Sequence, residues 1–187
     1  GELRREWSEG VRRYFHYVSD VPISGMDVFF SADYTVHRER WKDVDLQVFV
    51  HPGHAKQMER VLRSARASLD YFSEQFGRSP YRFLQIVEQP GDFLGMGVDG
   101  RGVVTGGEGF FLLNPEREGF DAIFEIVAHE MGHQWWGMQL KPAFAEGGGV
   151  ISESLAWYSA MSVVEATYGA EHVDRLLGMF RDSYLEP

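Results

Sequence analysis

The sequence predicts an α+β domain, with a mixed sheet on one side of a cleft and helices on the other. Three observations predict it. Val44, Leu46, Val48 and Val50 alternate with Asp45, Gln47 and Phe49, the two-residue period of a half-buried strand. Met58, Val61, Leu62, Ala65, Leu69, Phe72 and Phe76 recur at the spacing of one helix face. Strands come first, with one helix between them, and from about residue 119 the chain reads as helices alone.

The elements follow in order. Residues 28–37 carry Val28, Phe29, Phe30, Tyr34 and Val36 and suit a strand. The strand over residues 44–50 ends at His51-Pro52-Gly53, and the helix over residues 58–76 is closed by Gly77. Residues 81–88 read as a buried strand. Gly91 to Gly109 is glycine-rich and reads as loops around one edge strand that reaches into Phe110 to Leu113. No Gly-Lys-Ser/Thr run follows, so this is not a phosphate loop. Asn114-Pro115 is a turn, and a helix is expected from Gly119 to near Met138. Lys141-Pro142 and Gly147-Gly148-Gly149 mark a loop before helices over Val150–Tyr168 and Ala170–Tyr184. There is no internal repeat and no low-complexity linker. Residues 1–187 are therefore read as one domain fragment, sheet-rich over about 20–118 and helical over 119–187.

Composition narrows the function. The formal charge of -10 argues against nucleic acid as a partner, which needs a basic patch. The absence of cysteine excludes disulfides and thiolate metal sites. No stretch reaches the ~18 apolar residues that span a bilayer, so this fragment is expected to make no membrane contact of its own. The start, Gly1-Glu2-Leu3-Arg4-Arg5, has no apolar run behind it and is not a signal peptide. Gly1 in place of Met suggests a trimmed tag or an excised fragment, and the ending at Leu185-Glu186-Pro187 reads as arbitrary.

The chemistry concentrates in Ala128-His129-Glu130-Met131-Gly132-His133, a His-Glu-x-x-His pattern behind the apolar run Ile123 to Ala128. On a helix, positions i and i+4 lie about 40° apart around the axis and about 6 Å along it. Two imidazoles at that offset can converge on one ion at about 2.0–2.1 Å. A strand would hold them roughly 13 Å apart. Glu130 sits about 100° around from His129, which suits a group reaching a water on the ion's open side. A catalytic zinc site takes three protein ligands and leaves one position for water, and a carboxylate takes the proton as that water attacks. His129 and His133 are thus candidate ligands and Glu130 the candidate general base. Two histidines around a glutamate, on an apolar helix, are costly without such a partner.

A third ligand should come from a second helix. Glu146, Glu153 and Glu165 are the candidates. Glu146 lies in the glycine loop, and Glu165 is three turns further along. Glu153 stands near the start of a helix, which a helix-loop-helix return brings alongside the histidines. The competing account of Glu153 is a first-turn carboxylate that complements the helix dipole. Glu125, one turn before His129, is either an orienting partner for that ring or an exposed helix residue.

His129 to Gly137, reading His-Glu-Met-Gly-His-Gln-Trp-Trp-Gly, with Ser152-Glu153-Ser154-Leu155-Ala156, closely resembles the aminopeptidase N-type gluzincins. Tyr34 to Trp41, the strand ending at His51-Pro52 and Tyr81 to Pro90 resemble the upstream part of the same catalytic domain. The resemblance covers the chain from about residue 20 on and is nearest to bacterial members joined to transporter permease segments. It implies a zincin (thermolysin-like) fold, one Zn2+ per chain held by His129, His133 and Glu153, and peptide substrates. It also implies membrane-spanning segments elsewhere in the full protein. Three departures stand out. The family has eighteen residues between the second histidine and the glutamate, and residues 134–152 make nineteen here, so an insertion is expected in Gly147-Gly148-Gly149. The family's Gly-x-Met-Glu-Asn motif, whose glutamate holds the substrate amine, is matched by Met96-Gly97-Val98-Asp99-Gly100. That makes Asp99 a substrate-binding candidate, with a turn residue as its plainer role. The family's transition-state tyrosine lies beyond residue 187, with Tyr184 too near to match, so weak activity or none is expected of this fragment.

Two functions remain open on the sequence. One is a zinc-dependent peptidase, aminopeptidase-like. The other is a non-catalytic, zinc-containing peptide-binding or structural domain of a larger membrane-associated protein.

Overall fold

The first two strands pair with each other. In the computed structural model, which describes residues 2–18, 29–79, 81–91, 94–113, 120–143 and 145–185, β1 (Glu2–Glu9) and β2 (Arg12–Val18) form an antiparallel hairpin. Trp7 stacks on Tyr14 across it with ring centroids 5.1 Å apart, and Arg5 lies over the Trp7 ring. Almost every residue is exposed, so cross-strand ring and charge pairs hold this hairpin. Its alternation is too weak to be read from the sequence.

The main sheet begins with β3 (Thr35–Trp41) and β4 (Val44–Val50), an antiparallel pair around a tight turn with Lys42 at φ 49°. Val44, Leu46, Val48 and Val50 are all at most 1% exposed, as their alternation predicts. The strand expected over residues 28–37 is displaced: it starts at Thr35 and runs to Trp41, and Val28 lies outside the described residues. Its partner explains the shift. Thr35 faces Val50, where β4 stops before His51-Pro52, and proline has no N–H to extend the ladder.

A 3-10 turn, Pro52–Gln57, leads into α1 (Met58–Phe76), which buries Val61, Leu62, Ala65, Leu69 and Phe72 and ends at Gly77 with φ 95°. His54 turns inward onto the buried Glu88, Nδ1 to Oε1 2.5 Å. β5 (Phe83–Gln89) pairs parallel to β4. β6 (Met96–Gly100) and β7 (Val103–Gly107) form a hairpin, and β7 lies parallel to β5, giving the order β3-β4-β5-β7-β6. The glycine-rich region is thus two strands rather than loops around one. Glycine makes this possible. Gly102 turns the hairpin at φ 73°, where a Cβ would come within 2.6 Å of the Phe83 carbonyl oxygen. The chain then leaves the sheet. Phe110 and Phe111, expected to prolong the edge strand, belong to a single helical turn, α2 (Glu108–Phe111), that buries both rings.

α3 (Ala122–Gly132) is shorter than the helix expected from Gly119 to near Met138, and Gly119 lies outside the described residues. Asp121 starts it, with Oδ1 accepting from the Phe124 N–H at 3.1 Å. It unwinds after Gly132, where Gln134 and Trp135 donate to carbonyls only three residues back. A π-helical turn, Val150–Ser154, then precedes α4 (Leu155–Tyr168) and α5 (Ala170–Leu185).

One core joins these parts. It unites Val44, Leu46 and Ile86 of the sheet, Leu62 and Phe72 of α1, Phe124 and Val127 of α3, and Val163 and Val164 of α4. Each such side chain contributes roughly 1.5–3 kcal/mol by its burial. α3 and α4 cross at backbone contact, since a Cβ on Gly132 would meet Ala156 Cα and its carbonyl oxygen at 3.1 Å. That closeness brings the start of α4 beside the end of α3. Among the described residues no helix is long and apolar enough to cross a membrane.

Candidate metal centre

Three acceptor atoms converge where α3 meets the π-helical turn. His129 Nε2 and His133 Nε2 are 3.1 Å apart, and Glu153 Oε2 is 3.4 Å from the first and 3.5 Å from the second. The helix supplies the first pair, four residues apart on one face. The close crossing at Gly132 supplies the third. His129, His133 and Glu153 are the one group of metal-binding type among the described residues. Glu146 and Glu165, the other candidates for third ligand, are exposed and stand outside it.

The chemistry of this group is that of a cation site. The far nitrogen of His133, Nδ1, lies 3.1 Å from the Trp136 carbonyl oxygen, which can only accept, so Nδ1 carries the hydrogen and Nε2 the lone pair. Burial, and then the neighbouring His133, lower the His129 pKa to about 3, so His129 is neutral at ordinary pH and makes no ion pair with Glu153. A single hydrogen between the two Nε2 atoms could serve that pair but could not also face the Glu153 oxygen, whereas one cation can face all three. Ligands 2.0–2.1 Å from a tetrahedral zinc stand roughly 3.3–3.4 Å apart, and the three observed separations, 3.1, 3.4 and 3.5 Å, bracket that value. The residues present therefore fit a zinc ion.

Glu130 lines the same cavity of about 430 Å3 but is not one of the three. It is 5% exposed, and its Oε2 is buried with no hydrogen-bond partner among the described residues. Burial, and then Glu153, push its pKa up to about 8. A divalent cation beside it acts in the opposite direction and favours the carboxylate. Met96 and Gly97 of β6 form one wall, and Met138 and Pro142 of the segment after α3 form another.

Asp99 falls in β6, at an irregularity in pairing between Val98 and Gly100, on the strand whose Met96 and Gly97 reach the cavity. Its side chain lies outside the described residues. The glycine loop in which an extra residue was expected leads directly into the π-helical turn. A π-helical turn encloses one residue more than an α turn, and Glu153 sits in one.

Glu125 takes neither role expected of it. It is 1% exposed, and His172 of α5, not His129, lies against it, Nε2 to Oε1 2.8 Å. Trp135 and Trp136 pack on Phe72 and Phe76 of α1 and do not line the cavity. Gln134, not singled out in the sequence, accepts from the Gly102 N–H at 2.8 Å and so ties the end of α3 to the β6–β7 turn. Its position next to a ligand was the available signal.

No family model matches the chain. It is similar to an aminopeptidase N of Acetobacter pasteurianus, 30% identical over 96 residues that cover 49% of this chain and 27% of that protein. An aminopeptidase N of Caulobacter vibrioides is 28% identical over 102 residues, 53% of this chain and 12% of that protein. An aminopeptidase 2 of Candida albicans is 27% identical over 127 residues, 64% of this chain and 14% of that protein. The match thus spans about a quarter or less of each relative's length. The chain is a distant relative of aminopeptidases.

Proposed function

We propose that this chain is the zinc-binding part of a zincin-type, thermolysin-like metallopeptidase domain, and that it hydrolyses peptide bonds with Glu130 as general base. The observation that carries this reading is the triangle of His129 Nε2, His133 Nε2 and Glu153 Oε2, with the unpartnered Oε2 of Glu130 beside it in one cavity. When bound, zinc would supply Lewis acidity towards water and a carbonyl group. His129, His133 and Glu153 would hold it, and the Trp136 carbonyl would keep His133 in the tautomer that offers Nε2. Glu130 would take a proton from the attacking water and pass it to the leaving amine. The buried setting of Glu130 keeps bulk water from competing for that proton. The edge of β6 beside the cavity pairs with no further strand among the described residues and suits an extended peptide, and Asp99 on that strand is the candidate group for its amine end.

Glu130 also weighs against the reading as a non-catalytic site. A structural zinc site closes its fourth position with a ligand and has no use for a buried carboxylate facing it.

Metal content decides first. Protein purified without added metal is expected to carry about one zinc per chain. No zinc, even after incubation with excess zinc, overturns the three-ligand site. Glu153→Ala is expected to weaken zinc binding by more than ~100-fold, since losing even a partner of a ligand costs 10–100-fold. Unchanged occupancy in that variant moves the third ligand elsewhere.

A further inference from the structure

The two candidate ligand histidines are held in different ways. His133 Nδ1 bonds to the Trp136 carbonyl, whereas His129 Nδ1 is buried and has no hydrogen-bond partner among the described residues. A ligand histidine without that second bond lacks the usual restraint on its ring plane. His129 has a face contact instead. The Trp157 ring lies 4.2 Å from it, centroid to centroid, at an interplanar angle of 26°. Phe180 of α5 packs edge-on against Trp157 at 4.7 Å and steadies it in turn. Trp157 is four residues beyond Glu153, so one side of the π turn and α4 presents a carboxylate and an indole, opposite the two imidazoles of α3.

We propose that Trp157 is a positioning residue for His129, its indole face standing in for the missing hydrogen bond and aiming Nε2 at His133 and Glu153. The inference rests on the zinc-site reading above. The contact distinguishes a loaded site from an empty one. An imidazole that gives its lone pair to a divalent cation becomes electron-poor, and the negative face of an indole attracts such a ring more strongly. Packing that only fills volume makes no such distinction.

The test titrates zinc against a competing chelator in the wild-type chain, Trp157→Phe and Trp157→Leu, with circular dichroism to establish folding. Trp157→Leu, which fills space without a ring face, is expected to lose ~10-fold to ~100-fold in zinc affinity. Trp157→Phe keeps a face and is expected to stay within ~3-fold. Zinc is also expected to change the indole emission of the wild-type chain, and that change should vanish in Trp157→Phe although the variant still binds zinc. Wild-type affinity in Trp157→Leu overturns the inference, and so does a loss in Trp157→Phe as large as in Trp157→Leu. If Trp157→Leu does not fold, the emission comparison alone decides: a full zinc-induced change in Trp157→Phe means that Trp157 does not report on the liganded ring. A wild-type chain that binds no zinc is a different result, and it removes the zinc-site reading itself.

Discussion

The two ends of α3 treat buried polar groups in opposite ways. At the start, every one has a partner. Asp121 Oδ1 caps the helix, and its Oδ2 accepts from Arg63 at 2.8 Å and from the Tyr168 hydroxyl at 3.0 Å. Glu125, one turn on, is paired with His172. At the far end, His129 Nδ1, Glu130 Oε2 and Gln134 Nε2 are buried without partners among the described residues. An unmade buried hydrogen bond costs ~1–3 kcal/mol, so folding alone would not select that end. The first end fixes the helix among α1, α4 and α5. The second end is the one that the proposed zinc site occupies.

The largest expected effect tests the second end. Glu130→Gln keeps His129, His133 and Glu153, so zinc should stay at one per chain while peptide hydrolysis by the full-length protein falls ~100-fold to ~10,000-fold. The thermal midpoint should move by only a few degrees, because the buried Oε2 has no hydrogen-bond partner to lose among the described residues. Turnover equal to wild type in a zinc-loaded variant would remove Glu130 from the chemistry.

Asp121→Ala tests the first end, and its effect should be the reverse. The substitution removes the helix cap and strips Arg63 and Tyr168 of a shared acceptor. Cap loss costs ~1 kcal/mol and the stranded partners ~1–3 more, giving a total of about 2–4 kcal/mol. Chemical denaturation should show that loss, while zinc affinity of the folded variant stays near wild type. If zinc affinity fell by as much as stability, the two ends would be one cooperative unit and the contrast between them would fail.

This contrast also explains what the sequence could reveal. His129, Glu130 and His133 were legible because four-residue spacing on a helix fixes their relation locally. Glu153 was legible as a helix-start carboxylate at plausible reach and through the family resemblance, and the Gly132 crossing on Ala156 is what sets it, rather than Glu146 or Glu165, beside the two histidines. The Asp121 end was not legible. Arg63 comes from 58 residues upstream and Tyr168 from 47 downstream, and no periodicity announces such pairs. Glu125 was read as exposed or as a partner of His129 because His172, also 47 residues away, was invisible to it. β6 and β7 were missed in part for another reason. Glycine is depleted in strands, yet Gly106 is placed where Met96 and Phe111 would crowd a Cβ to 3.2 and 3.1 Å.

The smallest effect reads the pH dependence of the partnered end. Burial, and then the neighbouring Asp121, push the Glu125 pKa from 4.5 up to about 7, while burial and Arg175 lower that of His172. With a raised pKa, the folded chain holds a proton that the unfolded chain has released between those values, so unfolding loses a proton there and stability falls as pH rises. The contribution is complete below about 4.5 and is lost as pH rises through about 7. Glu125→Gln cannot ionise and can still bond His172. Its stability relative to wild type should therefore grow with pH across that window and level off above it, by about 1–2 kcal/mol, less than the shift alone implies because a neutral His172 can donate Nε2–H to the ionised carboxylate. Thermal midpoints of the two zinc-free proteins, measured at several pH values, check this. A difference that stays flat with pH would mean that Glu125 carries its charge without cost, held by His172 as firmly as Asp121 is held by Arg63.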